Sequence, residues 1–270
     1  MNNMLTRAIS GAIFVSLLVF SILYSPLLFL GLFYGFMIIS VFEFSRMLQL
    51  KSRGVYIIAT LIYFSFHSTI WNIDPFYINL LIILGVLFQF IFVLFNKNED
   101  PIKKLSSFLL CLTYACLPYI FISKIPFMFF NNGYEGIIIL GVFVLIWSND
   151  TFAYLTGMSI GKHKLIERIS PKKTIEGFVG GVLATLIIAY LISLEFSILS
   201  TTQWIIVGVI VSFFGVLGDL IASMFKRQTG VKDTGNIITG HGGILARLDS
   251  VIFAAPFIYL YLKFITEHVS

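Results

Sequence analysis

The feature that most constrains this chain is a series of long apolar runs with none of the polar alternation of a strand. A membrane-spanning helix needs about 20 mostly apolar residues. Marked between polar breaks, nine such runs fall at 8–24, 26–45, 55–72, 76–95, 105–123, 135–157, 178–194, 203–225 and 250–266. The breaks carry helix punctuation: Ser25-Pro26, Asp74-Pro75, Asn96 to Pro101, Asn131-Asn132-Gly133, and two long polar stretches at 158–177 and 226–249. Composition agrees, with 58% hydrophobic and only 11% charged residues. That is too little polarity to coat a water-exposed domain, in which about a quarter of residues are charged. A β-barrel is excluded, because its strands alternate over about ten residues. The expected fold is an all-α polytopic integral membrane protein with about nine transmembrane helices. About five spans belong to an N-terminal region, 1–134, and the rest to a C-terminal region, 135–270, which carries the two polar loops.

The basic residues supply a second test, since cytosolic loops collect Lys and Arg. With the N-terminus inside and the C-terminus outside, all but Lys124 and Lys263 of the 18 basic residues fall on the inner side. This orientation puts both long loops in the cytosol. Such loops would attract anionic headgroups or a polyanionic substrate, although topology alone accounts for many basic loops. The first segment has only Arg7 before its apolar stretch and no small-residue cleavage site after it, so it is expected to be a retained helix. Cys111 and Cys116 stand five residues apart within one run, on different helix faces, and are expected to behave as small hydrophobes.

Acidic residues within a span cost roughly 2.5–3.5 kcal/mol each and so point to function. Glu195 falls at an outer helix end, where solvent accounts for it, and Glu43 lies three residues from Arg46, within pairing distance. Asp150 and Asp219 have no such explanation. Asp150, Tyr154 and Gly157 share one helical face; the plain alternative for Asp150 is an interhelical hydrogen bond. Gly177 and Gly181 have the spacing of close helix packing, while Gly157 and Gly161 sit where a turn is needed.

The 158–177 loop holds Lys162 and Lys164, then Ser170, Lys172, Lys173 and Thr174. Two separated basic pairs suit a triphosphate, since each ammonium can meet a different phosphate. Ser170 and Thr174 can donate hydrogen bonds or cap the next helix. The last loop is richer. Asp219, Ser223 and Lys226 lie on one face, followed by Arg227, Lys232, Asp233, His241 between glycines that include Gly242 and Gly243, and then Arg247 and Asp249. Alternating carboxylates and cations at a membrane edge suggest a divalent metal with bound phosphates, and Mg²⁺ prefers one or two carboxylates plus phosphate oxygens and water. The glycines allow close backbone approach and expose N–H donors.

The run Ser223-x-x-Lys226-Arg227-x₄-Lys232-Asp233-x-Gly235-x₅-His241-Gly242-Gly243-x₃-Arg247-x-Asp249 resembles the C-terminal signature of the phosphatidate cytidylyltransferases (CDP-diacylglycerol synthases). The runs Asp150-Thr151-Phe152-Ala153-Tyr154 and Ser170-Pro171-Lys172-Lys173-Thr174-x-Glu176-Gly177 resemble that family as well. The resemblance implies Mg²⁺-dependent transfer of the cytidylyl group of CTP to phosphatidic acid, and leaves room for a second cation such as K⁺. It also implies a bacterial cytoplasmic membrane location with the active site facing the cytosol, and makes 135–270 the catalytic region. CTP, phosphatidic acid and membrane lipids are the expected partners, a homodimer the expected assembly, and no nucleic acid is expected. It assigns catalysis to Asp219, Lys226, Arg227 and Asp249. Substrate binding is assigned to Asp150, Tyr154, Lys162, Ser170, Lys172, Lys173, Thr174, Ser223, Lys232, Asp233, His241, Gly242, Gly243 and Arg247.

Two positions depart from the family. Thr239 replaces the usual Pro, Gly or Ser, a minor change. Ala246 stands where the family pattern His-Gly-Gly-x-x-Asp-Arg-x-Asp has its first Asp, a metal-site carboxylate. Mg²⁺ would then rest on Asp219 and Asp249 alone, and turnover is expected to be impaired. Three other classes compete: a CTP-dependent lipid kinase, a transporter built on Asp150 and Asp219, and a non-catalytic lipid or nucleotide binder. The absence of an inverted repeat counts against the transporter.

Overall fold

The computed structural model describes residues 3–95, 100–129, 133–231, 233–235 and 242–268, with side chains from Ala8 onward. Its elements are α1 (Asn3–Tyr24), α2 (Pro26–Met47), α3 (Gly54–Phe66), α4 (Ser68–Trp71), α5 (Pro75–Phe95), α6 (Pro101–Ala115) and α7 (Leu117–Lys124). After a 3₁₀ turn come α8 (Gly136–Ile160), β1 (Lys164–Ile166), β2 (Ser170–Thr174), α9 (Ile175–Glu195), α10 (Thr201–Thr229) and α11 (Leu245–His268). The architecture is the expected all-α one. Among the described residues seven helices are long and apolar enough to cross a membrane, one of them the composite Pro101–Phe127; Ala8–Tyr24 and Gly54–Phe66 are shorter apolar helices.

Local chemistry sets the helix ends. Asp100 caps α6 by accepting from the N–H of Ile102 and Lys103, with Pro101 behind it where a missing N–H costs nothing. Ser200 and Gln203 form a reciprocal capping box at α10, and Gly230, at φ 72°, closes its C-terminus. Pro118 lies just past the break between α6 and α7, where a proline cannot donate to the helix ladder. Cys111 and Cys116 are free and buried, as expected of small hydrophobes.

The core gathers around α2, whose Phe29, Phe33, Phe36 and Phe44 are buried against α7, α8 and α11. In the C-terminal half α8, α9 and α10 pack closely through small residues. A Cβ on Gly177 would come 2.6 Å from the Ala153 carbonyl, and one on Gly181 2.8 Å from Asn149 Oδ1. Asn149 is buried and lies 3.5 Å from Thr185 Oγ1, so the interhelical polar contact considered for Asp150 belongs to its neighbour.

Three sequence expectations need correction. The 158–177 loop is a two-stranded antiparallel hairpin, pairing Lys164 with Thr174 and Ile166 with Ser170. Helices α9 and α11 begin earlier than their apolar runs, so Glu176 lies in the first turn of α9, where the helix dipole favours a carboxylate, and Asp249 lies within α11, one turn in from Leu245. Glu43 is not explained by Arg46. Its carboxylate, 1% exposed, accepts the backbone N–H groups of Ile244 (3.1 Å) and Leu245 (3.0 Å) at the start of α11. Gly235 and Gly243 lie against that carboxylate, which fills the space a Cβ would need.

Candidate active site

Helices α8, α9, α10 and α11 and the hairpin enclose a cavity of about 640 Å³. Helical periodicity puts Asp150, Tyr154 and Gly157 on its α8 wall. Strand β2 contributes Lys172, Lys173 and Thr174, and β1 contributes Lys164. Asp219 and Lys226, seven residues apart on one face of α10, form the third wall; Ala246, Asp249 and Ser250 from the first turns of α11 form the fourth. Met158, Phe178 and Val216 make part of the lining apolar.

The hairpin is fixed at its base by Glu176. That carboxylate accepts the N–H of Lys162 (3.0 Å) and of His163 (3.2 Å) and pairs with His163 Nδ1 at 2.6 Å. Thr174 caps α9 by accepting from the Gly177 N–H at 3.1 Å. With its base held, β2 delivers the Lys173 ammonium into an ion pair with Asp219, joining the hairpin to α10. Asp249 is 7% exposed, and its carboxylate accepts the Ser250 N–H at 2.8 Å. Three carboxylates in one cavity repel each other, and Lys173 and Lys226 offset much of that charge. The result is a basic lip on the hairpin above an acidic floor, next to an apolar wall.

Several candidates lie outside this cavity. Arg227 is exposed, turned about 100° from Lys226 on the helix. Lys162, Ser170, Ser223, Asp233 and Arg247 are not among the lining residues, and Gly242 and Gly243 shape the approach to α11 instead, Gly242 at φ 84°. Lys232 and His241 lie outside the described residues. The residues assigned through the family resemblance omitted Lys164, which was named only in the basic-pair reading and which strand alternation puts on the same hairpin face as Lys172 and Thr174, and Glu43, which fixes α11 and with it Asp249.

Among the described residues no group of three or more His, Cys, Asp or Glu side chains is disposed to hold a metal ion. Asp219 and Asp249 provide two carboxylates on one cavity, and Ala246 adds only a methyl group. Two carboxylates fit Mg²⁺ when substrate phosphates and water complete its shell. The donor set therefore suits an ion arriving with a polyphosphate, not one caged by protein alone.

A sequence profile described as the cytidylyltransferase family matches residues 5–265. The chain belongs to that family. The family match takes in both polar loops and every residue of the cavity. The chain is 49% identical over 151 residues to a phosphatidate cytidylyltransferase of Staphylococcus aureus (strain COL), an alignment covering 54% of this chain and 58% of the relative. Proteins of the same name from Staphylococcus saprophyticus and Staphylococcus epidermidis are 46% and 44% identical over 151 residues. The chain thus spans 58% of the length of the curated relatives it matches.

Proposed function

We propose that this chain transfers the cytidylyl group of CTP to phosphatidic acid, giving CDP-diacylglycerol and pyrophosphate. The observation that carries this reading is the single cavity in which the hairpin lysines face Asp219 and Asp249 beside an apolar wall. A nucleotide polyphosphate needs the cations, and a diacyl substrate needs the apolar side. Few other substrate pairs need both.

In this reaction an oxygen of the lipid phosphate forms a bond to the α-phosphorus of CTP while the α–β phosphoanhydride bond breaks, and pyrophosphate leaves with its electron pair. The nucleophile is already anionic, so no Ser or Cys nucleophile is needed. The protein's work is positioning and charge neutralisation. Lys164, Lys172 and Lys173 bind the triphosphate, Lys226 neutralises charge at the reacting phosphates, and Thr174 and Glu176 keep the hairpin in register. Mg²⁺ held by Asp219 and Asp249 would supply charge neutralisation at the phosphates. Asp249 is kept in place by its own N–H contact and by the Glu43 clamp on α11. The positive-inside distribution supports a nine-span, N-in arrangement with the cavity at the cytosolic face of a bacterial membrane, where CTP is available.

The test is incubation of the purified protein with phosphatidic acid, Mg²⁺ and CTP labelled at the α-phosphorus. Label in the lipid product, with release of pyrophosphate, supports cytidylyl transfer. A phosphorylated lipid without the label points to a CTP-dependent kinase. Nucleotide binding without product, even in Ala246→Asp, points to a non-catalytic binder.

A further inference from the structure

At the same end of the bundle as the candidate active site, a second cavity of about 330 Å³ opens between the α2–α3 connection and the start of α6. The shared end follows from α2: Phe44, one turn before this cavity, packs 5.2 Å from Phe225, the neighbour of Lys226. Among the described residues, the charged groups lining the second cavity are Lys51, Lys103, Lys104 and Asp100, three cations and one anion. Asp100 is engaged, because its carboxylate accepts the Ile102 N–H at 2.9 Å and the Lys103 N–H at 3.3 Å at the positive end of α6. Lys104 is only 7% exposed, and its ammonium sits 5.3 Å from the Phe92 ring centroid.

That ring belongs to a stripe. Phe88, Phe92 and Phe95 recur at i, i+4 and i+7 on α5 and are 66%, 49% and 78% exposed. A hydrocarbon-facing aromatic ridge therefore runs up to a basic hollow. A water-soluble phosphate would use the hollow and have no use for the ridge; an anionic lipid would use both.

We propose that this cavity binds the phosphate headgroup of an anionic phospholipid on Lys51, Lys103 and Lys104, with the acyl chains lying along Phe88, Phe92 and Phe95. The site is separate from the candidate active site and does not rest on the cytidylyltransferase reading.

The full chain, purified in neutral detergent, is titrated with phosphatidylglycerol, and retained lipid is counted by native mass spectrometry. Lys51→Gln/Lys103→Gln should weaken retention of one lipid by about fivefold per lysine, about 25-fold in all. Lys51→Arg/Lys103→Arg should keep it, which separates loss of charge from loss of fold. Zwitterionic phosphatidylcholine should bind at least about tenfold more weakly. Equal retention by the intact chain and the Gln pair overturns the proposal, as does equal loss in the Arg pair. Full competition by glycerol 3-phosphate would make this a soluble-phosphate site and also overturns it. Loss of the lipid in Lys172→Gln/Lys173→Gln, with the Lys51/Lys103 pair intact, would put it in the active-site cavity instead.

Discussion

Helices α5 and α10 are both uninterrupted apolar spans, yet they do opposite things. Of α5 only Ile78, Gln89 and Val93 are buried, and most of the rest faces outward as bulky aliphatic and aromatic side chains. Helix α10 buries Trp204, Gly208, Ser212, Gly215, Gly218 and others, and carries Asp219 and Lys226 into the cavity. Gly218 has the Asp249 carbonyl where a Cβ would sit, so α10 and α11 approach as closely as backbones allow. Apolarity earns a helix its place in the bilayer. Small residues decide whether it packs or meets lipid, and the few ionisable groups on the packed face decide what it does.

The sharpest test of this contrast removes charge from the packed face. Asp249→Asn or Asp219→Asn should lower CDP-diacylglycerol formation by about 10³-fold, about 4 kcal/mol at the transition state. Leu84→Ala on the exposed face of α5 should leave the rate unchanged; full activity in both Asp variants would remove them from the site. Next in size, Glu43→Ala strands the N–H groups of Ile244 and Leu245 and should cost about 3 kcal/mol of stability. A fall in the thermal midpoint of the purified protein would register it, and an unchanged midpoint would deny the clamp.

Gly181→Ala pushes a methyl against Asn149 and should cost about 2 kcal/mol. Gly31→Ala on α2 meets nothing within 4 Å and should be neutral or stabilising by about 0.5 kcal/mol. Equal midpoints for these two variants would mean that close packing does not distinguish the regions. Ala246→Asp adds a fourth carboxylate to a cavity that already holds Lys173 and Lys226 and should raise Mg²⁺-dependent turnover severalfold, an effect of about 1 kcal/mol. No change would count against 246 as a ligand position.

The helices were legible in the sequence because a bilayer tolerates only long apolar runs; each predicted run is largely helical, although 55–72 is divided between α3 and α4 and 105–123 between α6 and α7. The acidic and basic cavity residues on α8 and α10 were legible because helical periodicity places 150 with 154 and 219 with 226. The hairpin was not. Residues 164–174 are polar and short, and what holds them is a carboxylate ten residues and more from the amides it accepts. Arg227 shows the same limit on a smaller scale. A basic pair in sequence splits on a helix, one residue turning inward and the other outward. Glu43 was the least legible, because its partners are about two hundred positions away and are backbone groups, which carry no side-chain signature.

That last contact bears on biogenesis. The carboxylate of Glu43 enters the bilayer when the second helix is inserted, long before Ile244 leaves the ribosome. Until α11 follows, those two amides are not there to meet it, and water or a transient neighbour must do so in their place. Docking of α11 and satisfaction of this acid are thus a single event, and a nascent chain halted between α10 and α11 would present the quality-control machinery with an acid still lacking its partners.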